Sequence, residues 1–294
     1  MRKIIAAIRF LFRPRLEISS DSIKINIKDV QYLITKEDVV SYNDAVTNGI
    51  EDDAFVGLHP LFYTKISWHI IESLNKYLEK PIDNEILKTI VHQSESITFY
   101  EEVAIPTQLV VKSKIWSISP HKKGTKMLIR FDYYANNELL ATEYSGGLMF
   151  GVKCKGKKQS LGELAQTTKI DEQQPLWEES VNIDKNLPYT YAEKAEIDAP
   201  IHTNPKFAKS IGLPDIILQG TCTFAKSVNV LLSKELNNDI KQIKSVSAKF
   251  TGMVVPPNII TVRLLKKDKK TLYFDVINNK GEAAIKGGEI LLNR

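Results

Sequence analysis

Cysteine is scarce. Cys154 and Cys222 are the only two in 294 residues, too few for a disulfide framework and without a metal-binding spacing. They read as reduced intracellular thiols, and the expected location is cytoplasmic. No apolar run approaches the roughly 20 residues that a bilayer-spanning helix needs. Glycine-rich phosphate loops are missing too. Gly146-Gly147 and Gly287-Gly288 sit in strand-like surroundings and suggest bulges. The five histidines lack short-range spacing and carboxylate partners, so no metal and no cofactor is expected. No Ser-His-Asp order is readable. Lys and Arg outnumber Asp and Glu by 40 to 35, but no basic cluster is interleaved with aromatics. That argues against nucleic acid and leaves an anionic small ligand or a membrane surface as partners for the basic balance.

What is present is ordinary globular material, 43% hydrophobic and 26% charged. The length allows one large domain or two of common size, each with a real core. The N-terminal MRKIIAAIRFLFRPR is basic and amphipathic. Arg9 interrupts its apolar core and no small-residue cleavage site follows, so a secretory signal is not the expected reading. A helix packed on the body is the leading reading, ahead of contact with a membrane surface.

Two halves repeat one another. The first has Tyr42 and Ala45, then Phe55-Val56-Gly57-Leu58-His59-Pro60 opening an apolar segment to Leu78. The second has Tyr191 and Ala192, then Ile217-Leu218-Gln219-Gly220 opening a segment to Leu236. Runs with strand-like alternation follow in each, such as Leu109 to Ile115 and Thr271 to Val276. Asn136-Asn137 and Asn278 to Gly281 stand where hairpin turns belong. The unit is one long helix, near 60–78 and 221–236, followed by an antiparallel meander. A helix covered by a curved sheet buries both apolar faces, which gives an α+β fold. The expected divisions are 1–155 and 181–294, with the polar, Lys- and Gln-rich 156–180 between them as a linker.

Residues 191–221 carry the chemistry. Pro200-Ile201-His202 places a histidine on a loop, and Gly212-Leu213-Pro214 breaks the chain. The apolar Ile216-Ile217-Leu218 then ends in Gln219-Gly220-Thr221 at a helix start. Free amides and a positive dipole end suit a developing oxyanion there.

This segment resembles the signature of the MaoC-like dehydratases, the (R)-specific enoyl-CoA hydratase family. Tyr191, Ala192, Pro200, Ile201, His202, Pro205, Ala208, Gly212, Pro214 and Gly220 fit it. Where the family has its catalytic Asp this chain has Ile197, where it has Asn this chain has Ala199, and Gln219 replaces a His. The resemblance is specific over 188–225. It implies a double hot-dog and an acyl-CoA or acyl-carrier thioester as partner, with reversible hydration of a trans-2-enoyl group. A homodimer is a further expectation.

On that reading His202 is the base and the Gly220 amide holds the thioester oxygen. Gln219, Thr221, Ile197 and Asp198 lie beside the substrate. Asp198 is one residue out of register for the missing acid, and along an extended segment it points the other way; capping the turn before Pro200 is its favoured role. A protein without the second acid is a slow hydratase, an enzyme with a relocated acid, or a thioester-binding scaffold. Pro60 stands where Gly220 stands in the second half and has no N–H to donate, so the first half is expected to be structural, as a wall for the acyl chain. His92 resembles a histidine found in the first halves of double hot-dogs, and its favoured reading is a buried polar group at a strand start. His59 is expected to pack or cap locally. Hot-dog thioesterases use an acidic residue on the central helix; Glu72 and Glu235 lie toward helix ends, which makes that the weaker enzyme alternative.

Overall fold

A computed structural model describes residues 16–47, 57–163 and 174–293. The basic N-terminus, Phe55-Val56 and residues 164–173 of the expected linker lie outside them. The first half begins with β1 (Glu17–Ser19), β2 (Val30–Ile34) and α1 (Lys36–Thr47). Next come the helices α2 (Tyr63–Glu72), α3 (Leu74–Tyr77) and α4 (Asn84–Leu87). Its meander is β3 (Ile90–Phe99), β4 (Thr107–His121), β5 (Gly124–Ala135) and β6 (Glu138–Phe150), and then β7 (Lys153–Lys155) and β8 (Gln159–Ser160). The second half has β9 (Trp177–Ile183), α5 (Leu187–Ala195), α6 (Pro200–Thr203), α7 (Pro205–Ser210) and α8 (Gly220–Leu236). The strands β10 (Ile243–Phe250), β11 (Asn258–Lys267), β12 (Thr271–Ile277) and β13 (Ala283–Leu292) complete it.

One sheet runs through both halves in the order β2-β4-β5-β6-β3-β10-β13-β12-β11-β9. Read from either end, the order is the same up to the seam, so each half is a five-stranded hot-dog sheet around its own helix. The halves join where β3 and β10 pair antiparallel, from Ser245↔Thr98 to Lys249↔Ser94. The expected linker is partly sheet: β8 pairs with β4 and β9 with β11.

Local chemistry explains the elements. Asn136 and Asn137 adopt φ of 49° and 67° between β5 and β6, the left-handed pair that a tight hairpin requires and Asn tolerates. In β11 alternate residues from Asn258 to Leu264 are buried, the period of a sheet with one face on the core. α8 is buried almost all round. Its polar residues stay satisfied because Thr223 and Ser227 donate to carbonyls one turn back, of Gln219 and Thr223. The first central helix is shorter than the apolar run suggests. It breaks at Ser73, whose φ and ψ of −111° and 23° are not helical, and resumes only for Leu74–Tyr77. Among the described residues no helix is long and apolar enough to cross a membrane.

The halves interlock through their helices. Tyr42 of α1 and Tyr191 of α5 bring their hydroxyls to 3.3 Å. His59, fully buried, accepts from its own Leu61 N–H (2.9 Å) and reaches Asn229 of α8 (3.0 Å). It therefore caps locally, as expected, and also ties the first half to the other central helix.

Candidate active site

The loop carrying the histidine is held from the first half. α5 ends at Glu196, in the left-handed conformation with φ 55°. The Glu196 carboxylate pairs with Lys65 of α2 at 2.9 Å. Lys65, 3% exposed, also pairs with Asp38 (3.2 Å) and donates to the Lys194 carbonyl (3.1 Å). A buried ammonium with three oxygen partners fixes its surroundings, because leaving it uncompensated would be costly. Here it fixes the turn that delivers residues 197–203.

Ile197 is buried, and its carbonyl accepts from Gln219 Nε2 at 3.3 Å. The same Nε2 donates to the Pro188 carbonyl at 3.1 Å. Gln219 thus staples two loops together, while its Oε1 is buried without a hydrogen-bond partner among the described residues. Asp198 is exposed and accepts from the Thr203 hydroxyl at 2.6 Å. It braces α6 by this longer reach; the N-cap itself is Ala199, which makes no side-chain cap. The Glu72 carboxyl, at the end of α2, lies close enough to Asp198 to feel its charge.

His202 sits in α6. Its Nδ1 donates to the Ile217 carbonyl at 2.7 Å. A carbonyl only accepts, so the proton is on Nδ1 and the Nε2 lone pair remains. Burial lowers the His202 pKa to about 4, against the raising effects of the carbonyl and of Asp198. The ring is therefore neutral at pH 7, as a proton acceptor must be. The bond also places it three residues ahead of Gly220. The strand-like run between them is anchored by Leu218 N–H to the Val254 carbonyl at 2.8 Å.

Gly220 is the first residue of the 17-residue α8, and Gln219 at the N-cap makes no side-chain cap. The amides at this end point out of the helix along its dipole. A Cβ on Gly220 would stand 3.1 Å from the Phe250 ring, so the glycine lets the helix start approach that ring closely. Thr221 is buried and accepts from the Tyr191 hydroxyl at 3.1 Å. In the first half Pro60 holds the matching position, and Tyr42 donates to the Leu61 carbonyl at 2.9 Å where Tyr191 meets Thr221.

Behind Gly220 lies a row of rings. Phe250 is 4.6 Å from His92, and His92 is 5.2 Å from Trp68. His92 Nε2 lies 3.2 Å from Glu95 Oε2, 3.2 Å from the Ser145 hydroxyl and 3.0 Å from the Ser94 carbonyl. Burial lowers its pKa to about 4 and raises those of Glu95 and Glu143 well above the carboxylate range. Tyr133 donates to Glu143 at 2.5 Å. His92 is thus the buried polar group expected, inside a carboxyl cluster that the sequence did not reveal.

Two acidic candidates separate. Glu235 accepts from Trp177 Nε1 (2.7 Å) and from Lys267 (2.5 Å), so it is committed to structure. Burial, and then the charge of Asp198, raise the Glu72 pKa to about 7. The residue itself is exposed at the end of α2. Glu72 and Lys65 are the residues that the sequence pattern did not assign to this site. Their spacing along α2 carries no motif, and only the fold brings them to the loop. No group of three or more His, Cys, Asp or Glu positioned for a metal occurs among the described residues.

Residues 167–286 match the MaoC like domain. The chain is 22% identical over 251 residues to the peroxisomal multifunctional enzyme type 2 of Drosophila melanogaster, covering 82% of this chain and 41% of that protein. It thus spans about two fifths of that relative's length. It is 21% identical over 235 residues to the peroxisomal enoyl-CoA hydratase 2 of Arabidopsis thaliana, covering 76% of this chain and 75% of the other. Among solved structures, the MaoC-like dehydratase from Phytophthora capsici superposes with a TM-score of 0.81 at 18% identity, over 94% of this chain and 99% of that one.

Proposed function

The chain belongs to the MaoC-like dehydratase family and has its double hot-dog architecture, and from that premise we propose that it hydrates trans-2-enoyl thioesters reversibly. The carrier is coenzyme A or an acyl-carrier protein. The observation that supports this most directly is the tautomer of His202. Its Nδ1–H is spent on Ile217, three residues before the Gly220 helix start, so a free Nε2 base and an oxyanion donor belong to one short stretch of chain.

In the hydration direction the Gly220 amide receives the thioester oxygen. His202 Nε2 takes a proton from water as the water oxygen bonds to C3. The C2–C3 π electrons move onto C2 and the carbonyl as an enolate, and C2 then takes a proton. Ile197 cannot carry that proton or hold the water. Glu72, which lies near Asp198 and whose pKa is raised to about 7, is the carboxyl we assign in its place. A pair with one pKa lowered and the other raised is the arrangement that divides base from acid.

The buried Ile197 favours a second reading, a binder of acyl thioesters without turnover. An absorbance assay on crotonyl-CoA, with butyryl-CoA binding measured in parallel, separates the two. Turnover that disappears in His202→Ala supports the hydratase. Binding without turnover supports the binder.

A further inference from the structure

Resting on the hydratase reading, we infer that Phe250, packed on His92 with Trp68 behind it, blocks the way inward from the Gly220 amide and so restricts the substrate to the shortest enoyl thioesters. On that reading an acyl chain whose carbonyl sits on the Gly220 amide and that turns inward meets Phe250, and the rings there leave it little room. The Phe250 ring lies 3.1 Å from the position of a Cβ on Gly220. Its other side meets His92 at 4.6 Å between centroids, and Phe224 stands edge-on at 6.3 Å.

His92 cannot yield the space. Its Nε2 is held among Ser145, Glu95 and the Ser94 carbonyl, and Trp68 covers its face. Moving it would strand buried polar groups, which is costly. The cavity beyond, lined by Trp68, Ile71, His92, Met127 and Ile129 among others, measures about 20 Å³. That holds about one water-sized group. The glycines on its rim add no room, because a Cβ on Gly146 would fall 2.2 Å from Ser94 Oγ and one on Gly147 2.8 Å from Ile90.

The test compares crotonyl-CoA with trans-2-decenoyl-CoA in wild type, Phe250→Ala and Trp68→Ala, each checked for folding by thermal melt. Wild type is expected to favour crotonyl-CoA in kcat/KM by at least about tenfold, and Phe250→Ala to shrink that ratio by about tenfold or more. Phe250→Leu, the milder change, should move it the same way if the alanine variant fails to fold. Equal use of both substrates by wild type overturns the inference, as does an unchanged ratio in every folded variant. Calorimetric binding of butyryl-CoA and decanoyl-CoA keeps this question apart from catalysis. If no variant turns over, the hydratase reading falls. The size limit then stands only if wild type binds butyryl-CoA more tightly and Phe250→Ala admits decanoyl-CoA, and it falls if both ligands bind wild type alike.

Discussion

The Tyr42 and Tyr191 hydroxyls meet at 3.3 Å across 149 residues of sequence. Each comes from the helix that precedes the central helix of its own half, and the rings pack edge to face at 6.0 Å. From this shared point each reaches the start of its own central helix, Tyr42 through the Leu61 carbonyl and Tyr191 through the Thr221 hydroxyl. The contact couples the half that carries Pro60 to the half that carries Gly220.

Tyr42→Phe and Tyr191→Phe should each lower stability by about 1 kcal/mol, the usual net worth of a buried hydrogen bond. The double variant should cost less than the sum by about 0.5 kcal/mol or more, since the two hydroxyls contact each other. Urea unfolding of the four proteins measures this. Strict additivity would mean that the hydroxyls act separately.

Much of this arrangement was legible beforehand. Tyr42 and Tyr191 were visible as repeat markers, and the strands follow from alternation and from Asn-rich turns. His202 and Gly220 stood out because a Pro-Ile-His loop and a glycine opening a helix are local patterns. Glu72 and Lys65 were not legible as parts of the site, because their roles depend on where α2 of one half meets a loop of the other. The carboxyl cluster of Glu95 and Glu143 was hidden for the same reason: it is built across β3 and β6. The break of the first central helix at Ser73 escaped because Ser is an unremarkable helix residue.

Stability should fall in acid through His202. Its folded pKa is about 4, while an unfolded histidine titrates near 6.5. Between these values the unfolded chain binds the proton first, so the His202 contribution to stability is full above about pH 6.5 and is lost as pH drops toward 4. His59, lowered to about 3, and His92, lowered to about 4, act in the same direction. In His202→Gln the slope of unfolding free energy should be shallower by up to about 1.4 kcal/mol per pH unit. Denaturant titrations across pH 4–7 check it, and parallel slopes would count against the assignment.

Glu72→Gln should reduce hydration by about 10²-fold or more. In wild type the acid must be protonated and the base neutral. Activity should thus fall as pH rises through about 7, the Glu72 value, and as pH drops through about 4, the His202 value. The upper limb should vanish in Glu72→Gln and return in Glu72→Asp. A full pH–rate profile decides; an upper limb that persists in the glutamine variant removes Glu72 from proton transfer.

Ile197→Asp should raise the hydration rate by restoring a carboxyl at the position after the Glu196 turn. It should also destabilise the fold by about 2–4 kcal/mol, because Ile197 is buried. Rate and melting temperature on one preparation test both. A variant that is less stable and no faster would show that the carboxyl does not reach the substrate.

The β3–β10 seam has a last consequence. An ordinary pair of hot-dog subunits meets by diffusion, and its partnership weakens on dilution. Here the partner is tethered, and a short tether corresponds to a millimolar effective concentration. Assembly of this seam is therefore first order, indifferent to how much protein the cell makes, and always unites one half bearing Pro60 with one bearing Gly220. The chain is a covalently tethered mixed pair, one half with Pro60 and one with Gly220 at the matching position.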